Sequence, residues 1–246
     1  MTTHPGAPRI LVIQHEDGTG PGLVGAETDA AGLVPHLVHP WRGETLPATL
    51  TGYAGLLVLG GAPGAGDDDT APWLPAVRAL VREAVGTGIP LLGICLGGQL
   101  TALALGGSVR VRPYGPEIGA VPLRRLPAAD GDPVFGSVPD GAPAAQWHWD
   151  EIAELPPGAV PLLTGADCVH QAFRVGPRAW GVQFHPEVLG TAVADWARSD
   201  GPAAARAGAD PAAAVASVRA AEPVLRDVWP RTARAWAEVV RSYAHR

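Results

Sequence analysis

Three short apolar runs constrain this chain of 246 residues more tightly than any other feature of its sequence. They lie at 9–14 (RILVIQ), 55–59 (GLLVL) and 89–94 (IPLLGI). Runs of this length without polar alternation, closed by Gly-rich turns, read as strands buried on both faces, as in a parallel sheet. Val34–Val38 reads as a further strand. Segments 20–32, 76–85 and 97–105 lie between or after these strands and have helical spacing. Strands alternating with helices predict an α/β fold: a doubly wound, mostly parallel sheet with helices on both faces.

Beyond about residue 106 the pattern changes to short β-like pieces separated by Pro and Gly, at 120–123, 160–163 and 169–174. These predict antiparallel strands added at one side of the sheet. After Val188 the chain turns Ala- and Arg-rich, with helical periodicity at 211–217 and 220–243. The expected organisation is a main domain over 1–190 and a C-terminal helical extension over 191–246, packed on the same domain.

Composition excludes some functions. Formal net charge is −6, every Lys+Arg residue is Arg, and no dense basic patch of the kind nucleic acid or anionic membrane requires is visible. No apolar run reaches membrane-spanning length, and MTTHPG lacks the charged and apolar regions of a signal peptide. Two cysteines are too few for a disulfide-stapled scaffold. A cytoplasmic location with free thiols is the expectation.

Three segments carry chemistry. In Gly93-Ile94-Cys95-Leu96-Gly97-Gly98-Gln99 an apolar strand passes through Gly-x-Cys-x-Gly into a helix. This is a nucleophile elbow in its cysteine form: small neighbours permit the tight turn, and the helix N-terminus faces the sulfur. Alone, the pattern fits a small buried cysteine equally well. In Gln183-Phe184-His185-Pro186-Glu187 a histidine follows an apolar stretch, with a carboxylate two residues on to orient it as a general base. The loop Leu59-Gly60-Gly61-Ala62-Pro63-Gly64 can aim backbone N–H groups at a developing oxyanion. Each segment ends an expected strand, and that edge of an open α/β sheet is where ligands bind.

Taken together, RILVIQHE, GLLVLGGAPG, IPLLGICLGGQL and GVQFHPEV resemble the class I glutamine amidotransferases, whose fold is flavodoxin-like. The resemblance implies a Cys-His-Glu triad of Cys95, His185 and Glu187, acting through a γ-glutamyl thioester with no cofactor or metal. It implies an oxyanion hole from the amides of Gly61 and Leu96, and Gln99 as a substrate contact. GGAPGAGDDDTAPWL and the segment Gln146–Glu151 are further similar to stand-alone members related to the GMP synthase glutaminase domain and to γ-glutamyl peptidases, which brings His148 and Asp150 into the substrate-binding set. Ala62-Pro63 departs from the Pro-Met of that group, beside the expected oxyanion hole.

Cys168 is read as a buried structural residue in a strand, His15 as a turn cap, and Asp67-Asp68-Asp69 as a solvated turn or helix cap. Two enzyme readings stay open: a glutaminase that supplies ammonia to a synthase subunit in trans, and a free-standing γ-glutamyl hydrolase. A catalytically silent regulatory subunit is the third. Expected partners are glutamine or a γ-glutamyl compound, with a synthase subunit or a second copy (a homodimer) compatible, and no nucleic acid or membrane.

Overall fold

The computed structural model describes residues 6–245. Along the chain run β1 (Arg9–Ile13), α1 (Gly22–Ala30), β2 (Val34–Val38), β3 (Gly55–Val58), α2 (Leu74–Thr87), β4 (Leu91–Ile94), α3 (Leu96–Ala104) and β5 (Ser108–Val111). They continue with β6 (Glu117–Arg125), β7 (Ala142–His148), β8 (Asp150–Glu154), β9 (Val160–Thr164), β10 (Ala172–Val175) and β11 (Ala179–Val182). The chain closes with α4 (Gly190–Ser199), α5 (Gly201–Arg206) and α6 (Pro211–Ala244).

Nine strands form one sheet in the order β2-β1-β3-β4-β11-β10-β9-β6-β7, and β5 pairs with β8 apart from it. The first five are mutually parallel. From β11 onward every pairing is antiparallel. Alternation along the central strands supplies both faces. Ile10, Val12, Leu57, Leu92 and Ile94 join one core cluster, and Leu11, Ile13, Leu56, Val58 and Leu91 join the other. The second cluster includes Val77, Leu80 and Val81 of α2 and Leu96 and Leu100 of α3; the first includes Val24 of α1 and a long stripe of α6. This is the doubly wound, mostly parallel arrangement, flanked by antiparallel strands.

Two local differences from the sequence reading have clear causes. Helical periodicity at 211–217 and 220–243 belongs to a single helix, α6, which starts at a true cap: the Asp210 side chain accepts from the Ala213 amide, with Pro211 following. Pro223 and Pro230 lie inside it and do not end it. Their cost is met by a continuous buried face from Val218 through Leu225, Trp229 and Trp236 to Val240. The strand expected at 169–174 begins only at Ala172, because the Cys168 carbonyl accepts from the Gly165 amide and closes a turn there. Cys168 is fully buried, in a loop.

Antiparallel β7 curls back until Ala145 bridges His185 beyond the end of β11. That return brings the end of β7 to the carboxyl edge of the parallel strands. Because α6 packs into the same core as β1 and β3, Trp236→Ala is expected to cost about 3–5 kcal/mol, read as a shift of the urea unfolding midpoint. A loss under about 0.5 kcal/mol would mean a helix that only decorates the surface.

Candidate active site

One residue separates β4 from α3, and it is Cys95. Its φ of +50° is the only positive φ at a non-glycine among the described residues. Such a backbone costs about 1–3 kcal/mol and persists only where its surroundings impose it. Here they do. A Cβ on Gly93 would lie 2.4 Å from the Gly97 carbonyl oxygen, one on Gly97 2.1 Å from that of Val58, and one on Gly98 2.3 Å from that of Val182. The glycines thus seat α3 directly on β3 and β11, and the seat leaves Cys95 to make the turn. The Cys95 amide donates to Val182 O at 2.9 Å.

His185 follows β11 and is held by its own amide, which donates to Ala145 O at 2.8 Å. Its Nδ1 lies 2.7 Å from Glu187 Oε1, and both side chains are buried. Trp196 of α4 covers the ring, with centroids 4.7 Å apart. Burial by itself depresses the imidazole pKa, but the Glu187 carboxylate and the Cys95 sulfur outweigh it and hold His185 well above its ordinary value. Both favour the cationic imidazole, the form this base takes when it holds a proton.

The loop after β3 closes against both. A Cβ on Gly60 would lie 3.0 Å from His185 Cε1 and 3.5 Å from Cys95 Cβ; one on Gly61 would lie 2.5 Å from His15 Cβ and 3.4 Å from Leu96 Cδ2. The two amides expected to face an oxyanion therefore belong to neighbouring residues. His15 is a prop under this loop and caps no turn. It is buried, its Nδ1 accepts from the Trp73 indole at 3.0 Å, and burial lowers its pKa to about 4.

A cavity of about 590 Å³ opens over these groups, and Gly61, Cys95, Gln99, His148, Asp150 and His185 all line it. Glu187 stands behind His185, and Leu96 begins α3 at the elbow. Gln99 Nε2 donates to the Asp150 carbonyl at 3.1 Å and to Gln183 Oε1 at 3.3 Å, while Gln183 Nε2 lies 3.9 Å from Cys95 Sγ. His148 has both ring nitrogens engaged, at 2.7 Å from Asp150 O and 2.9 Å from Glu117 Oε2. Glu117 also accepts from Gln171 at 2.8 Å. Burial would raise the Glu117 carboxyl, but His148, Gln171 and Arg112 hold it below the usual range. Glu117, His148 and Cys168 bring three potential ligand atoms within 4.8 Å of one another. The imidazole nitrogens are already committed, however, and burial pushes the Cys168 thiol up to about 12. The cluster is a hydrogen-bonded support for the cavity wall.

Several lining residues have no role in the sequence reading. Glu16 follows the end of β1, Asp200 joins α4 to α5, and Trp147, Trp149 and Trp196 supply indoles. Asp67 enters the lining as well: its Oδ2 accepts from the Gly64 amide at 2.8 Å, so the acidic run forms a turn, and Asp68 pairs with Arg78 at 2.6 Å. Glu16 was findable in principle, since it stands on the same strand edge as Cys95. Asp200 was not.

The family model for class-I glutamine amidotransferases matches residues 35–195, which include the elbow, His185 and Glu187. The chain belongs to the class-I glutamine amidotransferase family. Among solved structures it is similar to a glutamine amidotransferase from Thermotoga maritima, at 28% identity and a TM-score of 0.82 over 96% of this chain and 100% of that one. It is also similar to a glutamine amidotransferase from Methylobacillus flagellatus, at 32% identity and a TM-score of 0.76 over 97% and 94%. Among curated relatives, the GMP synthase (glutamine-hydrolyzing) of Thermotoga petrophila is 37% identical over 139 residues, 56% of this chain and 25% of that protein. The corresponding enzyme of Prochlorococcus marinus (strain NATL1A) is 33% identical over 134 residues, 54% of this chain and 24% of that protein. This amidotransferase chain thus spans about a quarter of the length of the curated relatives it matches.

In this member the two thiols differ in access. Cys95 lines the cavity, whereas Cys168 is sealed in a loop. Iodoacetamide is expected to alkylate the folded protein once, at Cys95, as read by peptide mapping. Labelling of Cys168 at a comparable rate would contradict the placement of the two sulfurs.

Proposed function

We propose that this amidotransferase hydrolyses γ-glutamyl amides through a thioester on Cys95. The observation that carries the reading is the strained Cys95 elbow beside a His185–Glu187 pair 2.7 Å apart, on the wall of one cavity. Cys95 Sγ adds to the γ-carbonyl carbon as its proton passes to His185. The oxyanion that forms is met by the amides of Gly61 and Leu96, each such donor lowering the barrier by about 2.7–4 kcal/mol. The C–N bond then breaks, and His185 returns the proton to the departing amine. Water adds to the thioester by the same route and releases the γ-glutamyl acid. Glu187 fixes the imidazole tautomer and stabilises its cationic form. Gln99, with Asp150 and His148 behind it, holds the γ-glutamyl group.

Residues 1–190 would carry this chemistry, with 191–246 as cover for one sheet face and, through Trp196 and Asp200, part of the cavity wall. The relatives named GMP synthase favour ammonia delivery to a synthase in trans. The roomy cavity favours a γ-glutamyl conjugate, because free glutamine carries nothing beyond its amide nitrogen. Among the described residues no helix is long and apolar enough to cross a membrane.

Product release from L-glutamine and from γ-glutamyl peptides, measured side by side, tests the proposal. Cys95→Ala is expected to abolish release of either product, and Glu187→Gln to lower kcat by about 10²–10⁴ through loss of the oriented base. Undiminished turnover by Cys95→Ala would remove the thioester from the account.

A further inference from the structure

The cavity is a site on grounds independent of its charge, namely its volume and the nucleophile and base on its wall. Its charge is nevertheless unusual. Glu16, Asp67, Asp150 and Asp200 line it, no Arg does, and the chain has no Lys.

Two of the four carboxylates meet at one glycine. Asp67 and Asp150 converge on Gly64, where a Cβ would lie 3.0 Å from Asp67 Oδ2 and 3.2 Å from Asp150 Oδ2. Burial raises the Asp150 carboxyl and Asp67 raises it further, against His148. This pair lies on the Gln99 side, since Gln99 donates to the Asp150 carbonyl. Glu16 and Asp200 also line the cavity, Asp200 on the side of His185 through its neighbour Trp196. Burial raises the Glu16 carboxyl, the Ala62 amide and His185 lower it, and Asp200 raises it again. Asp200 donates its amide to the carbonyl of Trp196, the residue stacked on His185. The indoles of Trp147 and Trp149 both donate to Asp200 Oδ2, each at 2.9 Å, so Oδ1 keeps its lone pairs for another donor.

His185 is the group that hands a proton to the departing amine, so its side of the cavity receives the leaving group. One α-ammonium on the γ-glutamyl portion accounts for one carboxylate pair. Ammonia as leaving group accounts for neither Glu16 nor Asp200. Carboxylates lining a partly dry, indole-walled space attract a cation, and aromatic faces add to that attraction.

Resting on the γ-glutamyl hydrolase reading, we propose that the natural leaving group is a cationic amine. The substrate class is a γ-glutamyl amide of a diamine or similar aminoalkyl amine, whose distal ammonium lies between Glu16 and Asp200 beside Trp196. Cys95 Sγ bonds to the γ-carbonyl carbon, and the C–N electron pair leaves on nitrogen with a proton from His185. Water then cleaves the thioester, giving glutamate and the free diamine and restoring the thiol.

The test compares kcat/KM for two amides of equal chain length, γ-glutamyl-1,4-diaminobutane and γ-glutamyl-butylamide, with L-glutamine as reference. The charged amide is expected to be preferred over the neutral one by about tenfold or more. Glu16→Gln, which retains an acceptor for the Ala62 amide, and Asp200→Asn, which retains one for the indoles, are each expected to bring that ratio toward one. Equal or better turnover of the butylamide, still dependent on Cys95, would overturn this inference and leave the hydrolase reading standing. A preference that both variants preserve would overturn the assignment to these two carboxylates. No Cys95-dependent turnover of any of the three substrates would remove the hydrolase reading and this inference with it.

Discussion

The contact on which the rest of the site depends is that of α3 with the ends of two strands. A helix axis normally stands well clear of the sheet it covers, because side chains intervene. Here Gly97 and Gly98 remove them, and the backbone of α3 rests against the carbonyls of Val58 and Val182. With the helix that close to β4, no slack remains for a relaxed connection, and the one residue left takes a φ of +50°. The strain at Cys95 is small beside the burial of the surrounding Leu, Ile and Val side chains, which contribute about 1.5–3 kcal/mol each. The sheet can therefore hold the turn indefinitely.

The same sheet assembles everything else by edge. Parallel β1, β3, β4 and β11 end together and deliver Glu16, the Gly60–Gly61 loop, Cys95 and His185 to one line. Antiparallel β6 and β7 serve a different purpose. Their return to His185 brings in Trp147, His148 and Asp150 as a second wall, supported from behind by Glu117 and Gln171. The third wall comes from Trp196 and Ser199 of α4 and from Asp200 after it, and α6 shares the core of α4.

What was legible in the sequence follows from this. Strands β1, β3 and β4 stand out because burial on both faces demands unbroken apolar runs, and the elbow stands out because close approach demands glycine at fixed spacing. His185 and Glu187 come with them as part of a motif two residues long in spacing. Asp200 and Trp196 carry no such mark: an Asp before a Gly-Pro and a Trp in a helix are ordinary, and only tertiary packing puts them beside His185. In the sequence α6 reads as two helices divided at Val218 and Arg219, which in fact continue it, and the loop at Cys168 was hidden by an apolar stretch that reads as strand. His15 looked like a cap because its partner, Trp73, lies 58 residues away.

The central claim is that chemistry passes through a bond to Cys95 sulfur. Rapid acid quench during turnover, followed by mass analysis of the Cys95 peptide, tests it most directly. The account predicts a γ-glutamyl adduct on that peptide, present during turnover and gone once substrate is exhausted. Turnover at full rate with Cys95 unmodified at every quench time would contradict it.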